Sequence, residues 1–152
     1  MNTLHPRIRL VWIARAMIRA AIVGAIVTGI AFVLNRSLFI GIGVGGLLVL
    51  LGVIHAMLRY RNWAYVVGDD AIYLERGVLT EIRTEVPLVR IQHVDSRRSA
   101  FERVIGLAST VVYTAGSRGA DVTIPGLTPE GAADLRTELK RLAIAADGED
   151  AV

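Results

Sequence analysis

Residues 20–58 read AAIVGAIVTGIAFVLNRSLFIGIGVGGLLVLLGVIHAML and contain one charged residue, Arg36. The first apolar run, Ala20–Leu34, extends backwards through residues 16–18 towards the length of about 20 residues that a bilayer span needs. The second run, Ser37–Leu58, has 22 residues and is long enough to cross the hydrocarbon core at about 1.5 Å per residue. The stretch therefore predicts a transmembrane hairpin at 16–59, with spans at about 16–35 and 37–58.

A cleaved signal peptide and a pair of buried core helices are the alternatives for this stretch. The first run has the basic start and apolar middle of a signal peptide. However, Asn35-Arg36-Ser37 leads straight into the second run, without a small-x-small cleavage site. A tight turn between two spans explains this arrangement better, so we expect the mature protein to retain both.

The basic residues around the hairpin predict its topology. Arginines flank the outer ends of both spans, whereas the connecting turn has only Arg36. Short flanks with this bias place both termini in the cytoplasm. The residues predicted to anchor the hairpin at the membrane interface are Arg15, Arg19, Arg59, Arg61, Trp12 and Trp63. His55 suits an interfacial anchor too, with a proton relay as the alternative.

Small residues recur at intervals of four along both spans. In the first span they are Ala21, Ala25 and Gly29, and in the second Gly41 and Gly45 form a GxxxG motif. Such stripes let transmembrane helices approach closely. They predict either packing of the hairpin against itself or assembly with another membrane protein.

The charge distribution argues against nucleic-acid binding. The chain carries a net charge of +3 with a pI near 9.8, but all fourteen acidic residues lie at or after Asp69. The positive excess therefore belongs to the flanks of the membrane spans. The chain has no cysteine, which excludes disulfides, thiolate metal sites and cysteine nucleophiles.

After the hairpin, the sequence changes to the alternating pattern of strands. Six or seven short strands, separated by turns such as Gly68-Asp69-Asp70, predict a mainly β domain over residues 62–146. A C-terminal helix follows, with Thr128 as its N-cap and Pro129 at its first position. We expect residues 147–152 to form an acidic disordered tail, and residues 1–15 a basic cytoplasmic segment.

Three segments carry a family resemblance. They are YVVGDDAIYLERGVL at 65–79, EVPLVRIQHVDSRRSAFERVIGLASTVVYTAG at 85–116, and IPGL at 124–127 before the final helix. This order resembles the bacterial pleckstrin-homology (PH)-like membrane proteins of the YdbS/YdbT type. The resemblance covers nearly the whole chain. It implies a two-helix transmembrane hairpin followed by a PH-like barrel or sandwich with a C-terminal helix, in a bacterial cytoplasmic membrane, and no enzymatic activity.

The residues themselves suggest no catalytic centre. His93 and Asp95 share one face of a predicted strand, with Ser96 and Ser99 nearby. A metal site needs a further ligand, and a serine triad needs a strained nucleophile turn that this sequence lacks. We therefore expect neither a catalytic residue, nor a metal, nor a cofactor, nor a small-molecule substrate.

A basic patch is predicted at Arg90, Arg97, Arg98 and Arg103. Guanidinium groups suit phosphate or carboxylate, so the patch fits a lipid headgroup, a protein partner or the domain's own carboxylates. The sequence favours a membrane-anchored adaptor that binds a protein at the cytoplasmic membrane face, either as an accessory subunit of another membrane protein or with a second copy of itself. An anionic-lipid-binding module is the alternative, and an unrecognised enzyme the remote one.

Overall fold

The computed structural model describes residues 2–115 and 121–149. The chain forms two compact units. One is Arg9–Arg61, called here the hairpin unit. The other combines Met1–Ile8 with Asn62–Val152 and is called the β unit.

The hairpin unit consists of two helices, α1 (Ile8–Val33) and α2 (Phe39–Arg61), each long and apolar enough to cross a membrane. Glycines bring the helices together along their length. A Cβ atom added at Gly52 would lie 2.6 Å from Ala16 Cβ, and one added at Gly24 would lie 3.3 Å from Gly45 Cα. Because the contact positions rise in α1 as they fall in α2, the helices are antiparallel, as a hairpin requires.

Within the described residues, the β unit contains seven strands, a short helix and a long C-terminal helix. The strands are β1 (Asn2–Thr3), β2 (Ala64–Val67), β3 (Ala71–Arg76), β4 (Ile82–Pro87), β5 (Ile91–Arg97), β6 (Ala108–Thr114) and β7 (Val122–Leu127). The helices are α3 (Ala100–Ile105) and α4 (Pro129–Glu149). A single 3₁₀ turn, Leu88–Arg90, connects β4 to β5.

The strands form two antiparallel sheets, in the orders β1-β2-β3-β4 and β5-β6-β7. The predicted architecture of an apolar helix pair, a mainly β domain and a C-terminal helix is confirmed. Over residues 2–115 and 121–149 the two sheets remain separate, so the β unit is an open sandwich and not the closed barrel that the resemblance also allowed.

The N-terminal segment belongs to the β unit, although the hairpin separates the two in sequence. Asn2 pairs with Tyr65 in the sheet, and the His5 backbone N–H donates to the Gly126 carbonyl at 2.8 Å. Leu4 and Ile8 are only 2% and 1% exposed. The structure thus divides the segment that we predicted at 1–15: residues 2–8 complete the β unit, and α1 begins at Ile8.

The core of the β unit is apolar and continuous with α4. The most deeply buried side chains from its strands, loops and helix include Leu74, Leu88, Val112, Ile124 and Leu139. Alternate side chains of β7 point into this core, since Val122 and Ile124 are buried while Thr123 between them is exposed.

The C-terminal helix is longer than predicted. It continues to Glu149, so Asp147–Glu149 are helical and not part of the disordered tail predicted from residue 147. Alanines at 143, 145 and 146 favour this extension. The remainder of the predicted tail, residues 150–152, lies outside the described residues.

Candidate functional site

A groove between β5 and α4 forms a cavity in the β unit, with a volume of about 720 Å³. Residues 91–95 of β5 form one wall and residues of α4 the other. The α4 residues that line it are Arg136, Thr137, Lys140, Ala143, Ile144 and Asp147. Their spacing of three and four residues places them on one helix face.

The edge of β5 itself lines this groove. Successive residues of a strand point to opposite faces of its sheet, yet all five consecutive residues from Ile91 to Asp95 contribute to the wall. The register of β5 against β6 shifts between Ile91 and His93, and this irregularity interrupts the alternation so that neighbouring residues reach the same wall. In addition, β5 is an end strand, with β6 as its neighbour in the sheet.

Two apolar side chains in the groove are unusually exposed. Val89, just before β5, and Ile144, on α4, are 48% and 64% exposed. Neither was among the predicted site residues. The sequence could have indicated Ile144, because it is an apolar residue of the C-terminal helix that lies outside the stripe of buried residues containing Leu135 and Leu139.

His93 and Asp95 form an exposed, closely spaced pair of side chains in this groove. His93 Nε2 lies 2.8 Å from Asp95 Oδ1, and the His93 ring lies 6.0 Å from the Tyr113 ring. Ser99, the nearby hydroxyl considered in the sequence, instead caps α3 by accepting a hydrogen bond from the Glu102 backbone N–H. Within residues 2–115 and 121–149, no three His, Asp or Glu side chains are arranged to hold a metal ion.

The four arginines of the predicted basic patch do not form one surface. Arg90 precedes β5 and Arg97 ends it, so about 20 Å of extended chain separates them. Arg97 and Arg98 lie near the other end, where they donate to the Tyr113 hydroxyl and the Leu107 carbonyl at 3.4 and 3.1 Å. Arg103 is exposed in the last turn of α3.

Three carboxylates of the β unit have partners other than the four arginines. Asp95 pairs with His93, and Glu81 lies 2.8 Å from Arg83. Glu102 is buried; it accepts hydrogen bonds from the Ser99 backbone N–H at 2.7 Å and from the Ser109 hydroxyl. Glu102 thus fixes the corner between β5, α3 and β6.

A second cavity, of about 420 Å³, lies between the helices of the hairpin unit. Three arginines and one histidine line it, together with Trp12 and apolar residues along both helices. The four are Arg15, Arg19, His55 and Arg59. The guanidinium carbon of Arg59 lies 4.3 Å from the Trp12 ring centroid, a cation–π contact that orients this arginine at the mouth of the cavity.

The other predicted interface anchors have different surroundings. Arg61 is exposed at the end of α2. Trp63 is only 3% exposed and packs edge-on against Tyr65, with ring centroids 6.2 Å apart. A buried indole cannot reach lipid headgroups, so the structure assigns Trp63 to the core of the β unit and not to the membrane interface.

The two predicted stripes of small residues are not equivalent. Gly41 and Gly45 face α1, where Thr28 and Gly24 are their nearest neighbours. In contrast, Ala21, Ala25 and Gly29 are exposed on the outer face of α1. These three residues therefore do not pack the hairpin against itself.

Comparison with known proteins places the chain in a family. The family model described as Bacterial PH domain matches residues 10–143. The chain is also 33% identical over 112 residues to transmembrane protein YdbS of Bacillus subtilis strain 168, covering 70% of this chain and 69% of that protein. No solved structure matches the chain. The protein is thus a bacterial membrane protein that belongs to the bacterial PH domain family.

Proposed function

We propose that this protein is a non-catalytic membrane-anchored adaptor whose β unit binds an extended segment of a partner protein along β5. The observation that supports this proposal is the groove beside the edge of β5. An end strand offers backbone N–H and C=O groups that an incoming strand can pair with, while side-chain pockets beside it select the sequence.

The lining of the groove indicates the chemistry of the segment. Val89 and Ile144 offer apolar contact surface, and Arg136 and Lys140 add two positive charges one helical turn apart on the same wall. Apolar side chains on the segment would cover the first pair, and a carboxylate would pair with the second. The proposed ligand is therefore an extended segment with both apolar and acidic residues.

The membrane module supports the adaptor role. Under the positive-inside rule, the arginines at the outer ends of the helices favour a multi-pass arrangement with both termini in the cytoplasm. A β unit on that side would meet cytoplasmic segments of neighbouring membrane proteins. The partner is accordingly proposed to be another membrane protein, which makes this chain an accessory subunit, or a second copy of the chain.

Charged substitutions in the groove are expected to abolish partner binding. Ile144→Glu and Val89→Glu place carboxylates where the ligand's apolar side chains would lie, so binding should weaken at least about tenfold, as expected for the loss of a central contact. Tagged protein at native expression is purified in a gentle detergent, and copurifying proteins are quantified by mass spectrometry. A photoreactive amino acid at position 144 then identifies the segment that contacts the groove.

Two further variants control for the added charge. Leu79 and Val104 are 99% and 86% exposed and lie outside the groove, so Leu79→Glu and Val104→Glu should leave copurification unchanged. If the groove and control variants recover the same proteins in the same amounts, the groove does not bind the partner. Recovery of no stoichiometric protein and no homo-oligomer with the unmodified chain would contradict the adaptor role itself.

A further inference from the structure

The cavity between α1 and α2 combines positive charge with membrane depth. The contacts of Ala16 with Gly52 and of Gly24 with Gly45 define how the two helices are aligned. In that alignment, Arg19 lies level with residues 49–50 of α2. It is therefore about 14 Å farther along the hairpin than Arg59, at 1.5 Å per residue.

Arg19 directly precedes the uncharged part of the first span. From Ala20 to Leu34 only 15 uncharged residues remain in the first span, about 22 Å of helix, which is less than the hydrocarbon core of about 30 Å. Either Arg19 enters that core or the polar headgroup region extends inwards to meet it. An arginine at this depth is costly unless an anion pairs with it.

The hairpin unit supplies no carboxylate of its own. The first acidic residue in the chain is Asp69, which lies beyond the end of α2. Arg15 and Arg19 are one turn apart on α1, and His55 and Arg59 are one turn apart on α2; all four line the same cavity. The guanidinium groups of Arg15 and Arg19, one turn apart beside the cavity, favour a phosphate, whose oxygens accept several charge-assisted hydrogen bonds.

The rest of the lining indicates what is attached to that phosphate. Around and beyond the level of Arg19, the cavity is walled by Val23, Leu48 and Leu51. These side chains suit acyl chains and not a hydrated ion. We propose that the cavity binds the headgroup of one anionic phospholipid, with its phosphate at Arg15 and Arg19 and its acyl chains along the apolar wall. This site is separate from the groove at β5.

The test uses the full-length chain with two lipids of equal acyl length, phosphatidylglycerol and phosphatidylcholine. Native mass spectrometry counts the lipid molecules retained after release from a detergent micelle. The chain is expected to retain one phosphatidylglycerol, with at least about a tenfold preference over phosphatidylcholine, because only the anionic lipid carries a net charge to pair with the arginines. Equal retention of the two lipids would overturn the proposal without the need for any variant.

Matched variants locate the site. Arg15→Gln with Arg19→Gln should reduce the preference to within about twofold, whereas Arg19→Lys, which keeps the charge, should retain most of it. Arg7→Gln with Arg36→Gln removes the same charge outside the cavity and should change nothing. Retention by the Arg15/Arg19 double variant equal to that of the control would show that the lipid binds elsewhere, and would overturn the proposal.

A final arm distinguishes the lipid from other anions. Inorganic phosphate is added to delipidated protein in a neutral detergent, and its binding is followed by ³¹P NMR. If the cavity binds the lipid, phosphate should bind at least about tenfold more weakly than phosphatidylglycerol, because it lacks the acyl contacts. Equal affinity would identify a phosphate site instead of a lipid site. The adaptor proposal is tested separately, by copurification with the Val89 and Ile144 variants. If the chain shows no preference for phosphatidylglycerol, the lipid proposal fails and the adaptor proposal is unaffected.

Discussion

A fragment that begins at Asn62 is expected to fail to fold cooperatively, although it contains every residue of the domain predicted from the sequence. The fragment lacks β1 together with Leu4 and Ile8, two of the most deeply buried side chains in the β unit. Truncating one such side chain to alanine costs about 2–5 kcal/mol, and a whole domain is stable by only about 5–15 kcal/mol. Losing both therefore removes much of the available stability.

Restoring the missing segment should restore folding. We expect residues 2–8, joined by a flexible Gly/Ser linker to residues 62–149, to give a single cooperative urea transition. Trp63 is the single tryptophan in this fragment and is buried in the core, so its fluorescence reports the transition. Leu4→Asp in the fused fragment should abolish that transition. A cooperative transition at the same midpoint with and without residues 2–8 would show that the segment is dispensable.

Gly126 provides a finer test of the same docking. It has φ +67°, and an added Cβ would lie 2.9 Å from Ile8 Cβ. Gly106 has a similar φ of +71° but no neighbour within 4 Å of an added Cβ. Gly106→Ala should therefore cost only the strain of the left-handed conformation, about 1–2 kcal/mol. Gly126→Ala should cost about 1–3 kcal/mol more, because it also displaces Ile8.

The second large effect is expected from a single glycine in the hairpin. An added Cβ at Gly41 would lie 2.8 Å from Thr28 Cα, so Gly41→Leu must force α1 and α2 apart. Gly43, two residues away, has no such neighbour within 4 Å, and Gly43→Leu is the matched control. Overpacking of this kind costs about 1–3 kcal/mol or more, and the separation should spread along the helix pair.

Disulfide formation measures this separation directly. The chain has no cysteine, so Ala20→Cys with Gly45→Cys introduces one pair on facing helices. A disulfide requires Cα atoms within about 7 Å. Oxidation in membranes should give a high yield of the disulfide in the protein that carries only the two cysteines. The yield should be equally high when Gly43→Leu is added, and several times lower when Gly41→Leu is added. Equal yields in the three proteins would show that Gly41 does not control the helix contact.

The hairpin and the family membership could be predicted from sequence because both depend on local signals. Membrane insertion responds to the summed hydropathy of contiguous residues, and residues 20–58 supply that sum directly. Strand alternation and turn residues such as Gly68 likewise act within a few positions. The predicted start of the C-terminal tail was wrong by three residues, because α4 continues to Glu149 and a helix end depends on weak propensities over its last turn.

Local sequence patterns do not show which of two stripes of small residues on α1 packs against α2. Residues 21, 25 and 29 have the same spacing of four as residues 16, 20, 24 and 28. On a helix, neighbouring residues such as Ala20 and Ala21 differ by about 100° in direction. The sequence contains both stripes, and only the packing of α1 on α2 selected the second for the interface. The outward stripe remains available for the predicted assembly with another membrane protein.

The sequence by itself thus determined the membrane hairpin, the mainly β character of the chain after it and the family to which the protein belongs. Only the tertiary structure decided that residues 2–8 complete the β unit, that a groove lies between β5 and α4, and that Arg15, Arg19 and Arg59 line one cavity. The physical reason is the same in each case. These features arise between segments that are far apart in the chain, so their energies depend on three-dimensional packing, which no local pattern of residues encodes.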